Sequence, residues 1–253
     1  MRDEAHAAQE DFRDLRTPGA ALVIATLFTS VALLENTLLP WAPFYFAYAW
    51  LCTVLPLGVG GTAIGSLRSL PKRMWFAIVA IPVALQLLFP LWSGWVYPWL
   101  LARAGLDAAA VAGWRNDLGA SLQHLFIAAA ARWKTGPDRI QLYYLGGILL
   151  WAGLGEELFY RGYLYGSLRD RWGATRGAIV SSAFFGVRHA TQLGLLHDAF
   201  PWGAALSWVL FSFTAGLAMC WLYQKSRSLL PAILAHYLLN LIPCAVLLLG
   251  SSP

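Results

Sequence analysis

Seven apolar runs divide this sequence, and each is close to the length needed to cross the hydrocarbon core of a bilayer. They cover about 20–36, 42–62, 74–93, 141–162, 177–196, 202–223 and 229–249, and a helix needs roughly 20 apolar residues to span. Runs this long, with no strand alternation, argue against a closed barrel. Only 12% of the 253 residues are charged and 58% are hydrophobic, whereas soluble domains carry about 25% charge. A soluble fold would need helices buried on nearly every face without the polar surface to cover them. The expectation is an all-α polytopic membrane bundle of seven or eight transmembrane helices. The eighth depends on SLQHLFIAAAARW at 121–133, which is short and also suits an interfacial or re-entrant helix.

Charge placement sets the orientation. The net charge of +5 could suggest nucleic acid, but the basic residues fall in short clusters between apolar runs, as membrane topology requires. With the N-terminus inside, the inner segments hold eleven Lys or Arg, and the outer connections at 37–41, 197–201 and the C-terminus hold none. The 94–140 stretch breaks this pattern with Arg103, Arg115, Arg132, Lys134 and Arg139. Residues 1–19, with acids and bases mixed and no cleavable signal, read as a cytoplasmic tail before a single membrane domain at 20–250. Pro82 and Pro90 mark turns or kinks, whereas Pro201 and Pro231 stand near helix starts, where a missing N–H costs little. Cys52, Cys220 and Cys244 lie in apolar runs at no metal-like spacing and read as core residues.

Against that background GEELFYRG, residues 155–162, places two acids and an arginine inside a span. Charges there are expensive and are functional candidates by default. On a helix Glu157 and Arg161 are i,i+4 neighbours and can pair, which reads as architecture. Glu156 points about 100° away on α-helical winding and is left free to face another helix. FFGVRHA at 184–190 puts Phe185 and His189 on one face, and AHYLLNL at 235–241 does the same for His236 and Asn240. At 1.5 Å per residue, Glu156, His236, Asn240 and His189 lie roughly 10, 10, 17 and 20 Å from the inner ends of their helices. Tilt can bring them to one level. His189 alone reads as a satisfied buried imidazole, and His236 with Asn240 as interhelical glue. Together with an unpaired Glu156 they read as a site.

Such a site permits water attack on a carbonyl. Glu156 with His189 would hold and deprotonate a water, and His236 and Asn240 would donate to the developing oxyanion. No G-x-S-x-G elbow and no H-E-x-x-H zinc signature is present, and no cysteine clearly belongs to the polar set. No cofactor is expected. Zinc held by Glu156, His189 and His236 is the alternative. Arg188, beside His189, is a candidate to pair with Glu35 of the first run or a lipid phosphate, with substrate recognition as the alternative.

These residues carry a resemblance. EELFYR at 156–161, FGVRH at 185–189 and HYLLN at 236–240 are similar to the E-E-x-x-x-R, F-x-x-x-H and H-x-x-x-N/D motifs of the CPBP (Abi, CAAX-protease-like) intramembrane proteases. That family includes the type II CAAX prenyl endopeptidases. The resemblance covers about 141–249. It implies a helical bundle of about eight spans with a conical cavity and a glutamate-type endopeptidase mechanism, in a family long called metalloproteases. Glu156, His189, His236 and Asn240 would be catalytic, with Glu157 and Arg161 in support and Phe185 packing beside the site. It also implies a membrane-anchored protein or peptide as substrate and a multi-pass location in the bacterial inner membrane. A proton-coupled transporter or a non-catalytic scaffold or immunity protein is the alternative, although the internal repeats usual in transporters are missing.

Overall fold

The computed structural model describes residues 13–38, 52–57, 64–66, 70–105, 146–190 and 202–250. The stretch containing SLQHLFIAAAARW, most of the 42–62 run, His6, His124, and the outer turn with His197 and Asp198 lie outside them, as do the side chains of Glu35 and Cys244. The described residues are helical, in keeping with an all-α fold.

Local chemistry sets several helix ends. Helix α1, Pro18–Leu38, begins on a proline whose missing N–H costs nothing there, and Thr17 Oγ1 accepts the Ala20 N–H at 3.3 Å. Helix α2, Lys72–Leu91, follows an extended Pro71 and runs through Pro82 and Pro90. Neither proline ends it. A π-helical turn, Trp92–Val96, then leads into α3, Tyr97–Arg103. The span expected at 74–93 therefore continues to Arg103, because WSGWVYPWLLAR stays apolar and helix-compatible past Pro90.

The segment carrying the two glutamates, Gly146–Tyr165, is wound as a π-helix and continues as α4, Gly166–Trp172. We call Gly146–Tyr165 the motif helix. Gly173, at φ 83°, donates its N–H to Arg169 O at 3.0 Å and reverses the chain into α5, Ala174–His189. Nothing lies within 4 Å of a Cβ added there, so backbone conformation and not space asks for glycine. Helices α6, Trp202–Ser226, and α7, Leu230–Gly250, complete the described order, and Pro231 stands in the first turn of α7 as expected.

The motif helix is the centre of the packing. Leu158, Phe159, Tyr160, Tyr163 and Leu164 are fully or almost fully buried. One side meets Ala21 and Ala25 of α1, and the other meets Cys220 and Tyr223 of α6, Leu229 just before α7 and Ile233 within it. Helices α5 and α6 approach backbone to backbone through glycine: a Cβ on Gly186 would lie 2.7 Å from Val209 O, and one on Gly216 would lie 2.9 Å from Ser182 Cβ. Gly153 is pressed against the Tyr237 ring. Gly166 has only ordinary contacts, the nearest being Arg16 Nη2 at 3.6 Å.

Among the described residues, two helical stretches are long and apolar enough to cross a membrane: Lys72–Arg103, with 32 residues, and Ala205–Ser226, with 22. Pro18–Ser30 and Leu230–Ile242 are apolar but shorter. Of the seven or eight spans read from the sequence, these two meet the standard there. The first leaves Phe76, Leu87 and Trp95 at 76%, 68% and 76% exposure. An apolar face of that extent belongs against lipid or another protein rather than water.

Candidate active site

Three elements converge. The motif helix contributes Glu156, Glu157 and Arg161, α5 contributes Phe185, Arg188 and His189, and α7 contributes His236. All seven side chains are buried. Glu157 Oε1 accepts from Arg161 Nη1 at 3.0 Å, as the i,i+4 spacing suggested. The same oxygen accepts from His236 Nδ1 at 2.7 Å. A carboxylate oxygen has no proton to give, so His236 Nδ1 carries the hydrogen. Its other nitrogen, Nε2, is turned to Glu156, 3.8 Å from Oε2.

His189 is oriented by the same device with a different partner. Its Nδ1 donates to Phe185 O at 2.7 Å, and a carbonyl can only accept, so its Nε2 is also left for chemistry. The Phe185 ring contacts both imidazoles, with centroids 4.4 Å from His189 and 5.9 Å from His236. Its face also carries the Arg161 guanidinium at 4.2 Å. Phe185 therefore holds three members of the site in register, beyond the packing role read from the sequence. His189 lies near enough to Glu156 and His236 for their charges to interact.

Three expectations change. Glu156 is not free, because Arg188 Nη1 sits 3.0 Å from its Oε1 and both side chains are buried. Arg188 therefore turns inward rather than to lipid phosphate. The physical reason is the cost of a buried charge: a carboxylate enclosed by apolar helices is stable only with a cation against it, and Arg188 faces it from α5. Second, Asn240 makes no hydrogen bond among the described residues to Glu156, His189 or His236, and it is only half-buried. The structure brings those three together and leaves Asn240 one turn beyond His236. His236, bonded to Glu157 through Nδ1, can donate to an oxyanion only when both ring nitrogens carry protons. Third, Cys220 does adjoin the polar set, beside Arg161 and with Sγ 3.9 Å from Ser182 Oγ.

One neighbour carries no mark in the sequence. The Trp208 ring lies 6.3 Å from His189 and stacks on Phe211, walling the site on the α6 side. A tryptophan in an apolar helix reads as packing, and no spacing distinguishes this one.

The same three motifs fall inside a family match. Residues 138–242 match the family described as type II CAAX prenyl endopeptidase Rce1-like. The match is at the level of the family, and it takes in 156–161, 185–189 and 236–240. A protein named CAAX prenyl protease 2, from Methanococcus maripaludis, is 29% identical over 103 residues, 37% of each chain. The alignment thus spans little more than a third of that relative's length. No solved structure matches.

Among the described residues, no group of three or more His, Cys, Asp or Glu is arranged to hold a metal ion. The donor chemistry agrees poorly with a divalent cation: each carboxylate already has a guanidinium 3.0 Å away. Zinc on Glu156, His189 and His236 would have to displace Arg188 or share its charge.

Proposed function

We propose that this protein is an intramembrane endopeptidase of glutamate type, cutting a peptide bond in a membrane-anchored protein or peptide. The observation that carries the reading is the Glu156 carboxylate, with His236 Nε2 3.8 Å from its Oε2 and His189 beside it, each histidine being anchored through Nδ1. Glu156 Oε2 takes a proton from a water held with His189, and the water oxygen bonds to the substrate carbonyl carbon. His236, protonated on both ring nitrogens while Glu157 carries the matching charge, donates through Nε2 to the oxyanion, and Asn240, one turn on, adds a second donor. The C–N bond then breaks, and the proton held by Glu156 passes to the departing amine. Glu157 orients His236, and Arg161 neutralises Glu157. No step requires a metal.

In this reading the chain is a multi-pass protein of the bacterial inner membrane, with its N-terminus cytoplasmic and a bundle of seven or eight spans around the site. The residues 141–249 form the protease core. The name of the Methanococcus maripaludis relative supports a CAAX-type substrate as the first to try.

The test uses the full chain in lipid nanodiscs, presented with a library of membrane-anchored peptides. Wild type cleaves. Glu156→Gln and His189→Ala lose at least about 10²-fold in rate, the scale of acid–base catalysis, while their helical circular dichroism is unchanged. Equal cleavage by all three proteins rejects the assignment. A chelator arm with zinc repletion decides metal dependence, and the metal-free reading expects no change.

A further inference from the structure

Beyond the reacting groups, the motif helix and the first turn of α4 carry a concentration of unpartnered polar atoms. Glu157 Oε2, Arg161 Nε and Nη2, Tyr165 OH and Ser167 Oγ are buried with no hydrogen-bond partner among the described residues. Glu157, Arg161 and Tyr165 are wholly enclosed, at 0% exposure. Leaving so many donors and acceptors dry would consume a large part of the stability of any fold. The rings around Arg161 do not relieve it. Phe185 and Tyr160 lie 4.2 and 6.0 Å from the guanidinium carbon, and a ring face meets the plane of the group, whereas its N–H bonds point outward within that plane.

The atoms are also ordered in space. Positions 157, 161 and 165 recur every four residues along one helix. Cys220 lies within weak hydrogen-bonding reach of Arg161 and 3.9 Å from Ser182 Oγ, a thiol being a poor acceptor for a guanidinium. Tyr165 packs edge-on against Tyr223, with centroids 6.0 Å apart. At the far end the Arg169 guanidinium reaches the Tyr165 ring at 5.9 Å and pairs with Asp170 at 2.8 Å, where the two side chains are 38% and 62% exposed. A polar seam thus begins at the Glu157–His236 contact and ends at bulk solvent.

We propose that this seam binds a file of internal water molecules linking the Glu156–His236 site to the surface at Arg169 and Asp170. Water suits the chemistry better than an ion. Glu157 and Arg161 cancel one another's charge, the orphaned atoms include both donors and acceptors, and a buried water commonly bridges about three such groups. Hydrolysis consumes one water for each bond cut, and the seam delivers it from the Arg169 face without opening the apolar wall at Trp208 and Phe211. The delivery role rests on the hydrolytic reading, but the hydration does not.

Millisecond hydroxyl-radical footprinting of the full chain in nanodiscs tests this, because radicals generated from bound water label the side chains that touch it. The sequence supplies matched controls: Tyr160 is as buried as Tyr165, and Cys52 is as buried as Cys220, at 1% each. The expected result is modification of Tyr165 and Cys220 about ten-fold faster than Tyr160 and Cys52, since only the first pair would touch ordered water. Equal rates within the tyrosine pair overturn the proposal, whatever the cleavage assay shows. A labelled seam in a protein that cleaves nothing would sink the protease reading and leave the water file standing.

Discussion

Arg188 changes how the residues of the site work. It holds Glu156 Oε1 at 3.0 Å and leaves Oε2 directed at His236, so the carboxylate proposed as the base has one oxygen fixed and one available. Removing the arginine strands a buried carboxylate, and breaking such a pair costs about 3–5 kcal/mol. Arg188→Ala is therefore expected to lower thermal stability and reduce cleavage, with Arg188→Lys recovering part of both because it restores the charge without the fork. Glu156→Gln combined with Arg188→Met should be more stable than Arg188→Ala alone, since neither charge is then unpaired. Thermal unfolding of the purified variants checks the order, and a double variant less stable than the single would contradict the pairing. The sequence made most of these residues legible, because a charge within an apolar run is conspicuous. It gave Glu157 and Arg161 their pairing outright through four-residue spacing. What it could not give was the partner across helices: neither the Arg188–Glu156 pair nor the His236–Glu157 bond is readable there, because cross-helix contacts depend on rotations that no local spacing encodes.

At the scale of helices, the site depends on how closely α5 and α6 approach. The close contacts are at Gly186 and Gly216, and the first would set a methyl 2.7 Å from a backbone oxygen that cannot move aside alone. Gly186→Ala is expected to destabilise the protein by about 1–3 kcal/mol, the usual range for overpacking, and to reduce cleavage by shifting His189 on the same helix. Gly19→Ala and Gly94→Ala, with nothing within 4 Å of the added carbon, should unfold at the wild-type temperature. A Gly186→Ala protein that also unfolds there would show the contact to be looser than described. Helix existence followed readily from the apolar runs: Pro18–Leu38, Trp202–Ser226 and Leu230–Gly250 fall close to the expected 20–36, 202–223 and 229–249. The π-winding of Gly146–Tyr165 did not, because hydrophobic pattern reports which face is buried and not how the carbonyls pair. The continuation to Arg103 is not legible for a related reason: Pro90 reads as a turn or kink, yet proline is tolerated within packed apolar helices.

For the whole molecule, the central claim is that groups from three elements, separated by 33 and 47 positions in the chain, act as one catalytic unit at Glu156, His189 and His236. Groups that work on a single water have strongly non-additive effects when removed together. Cleavage rates of Glu156→Gln, His189→Ala and His236→Ala, singly and in pairs, measure this directly. The account predicts that each single variant loses about as much as any pair, with the residual rate unchanged by the second substitution. Losses that multiply across the pairs, or a His236→Ala protein cleaving at the wild-type rate, would contradict it.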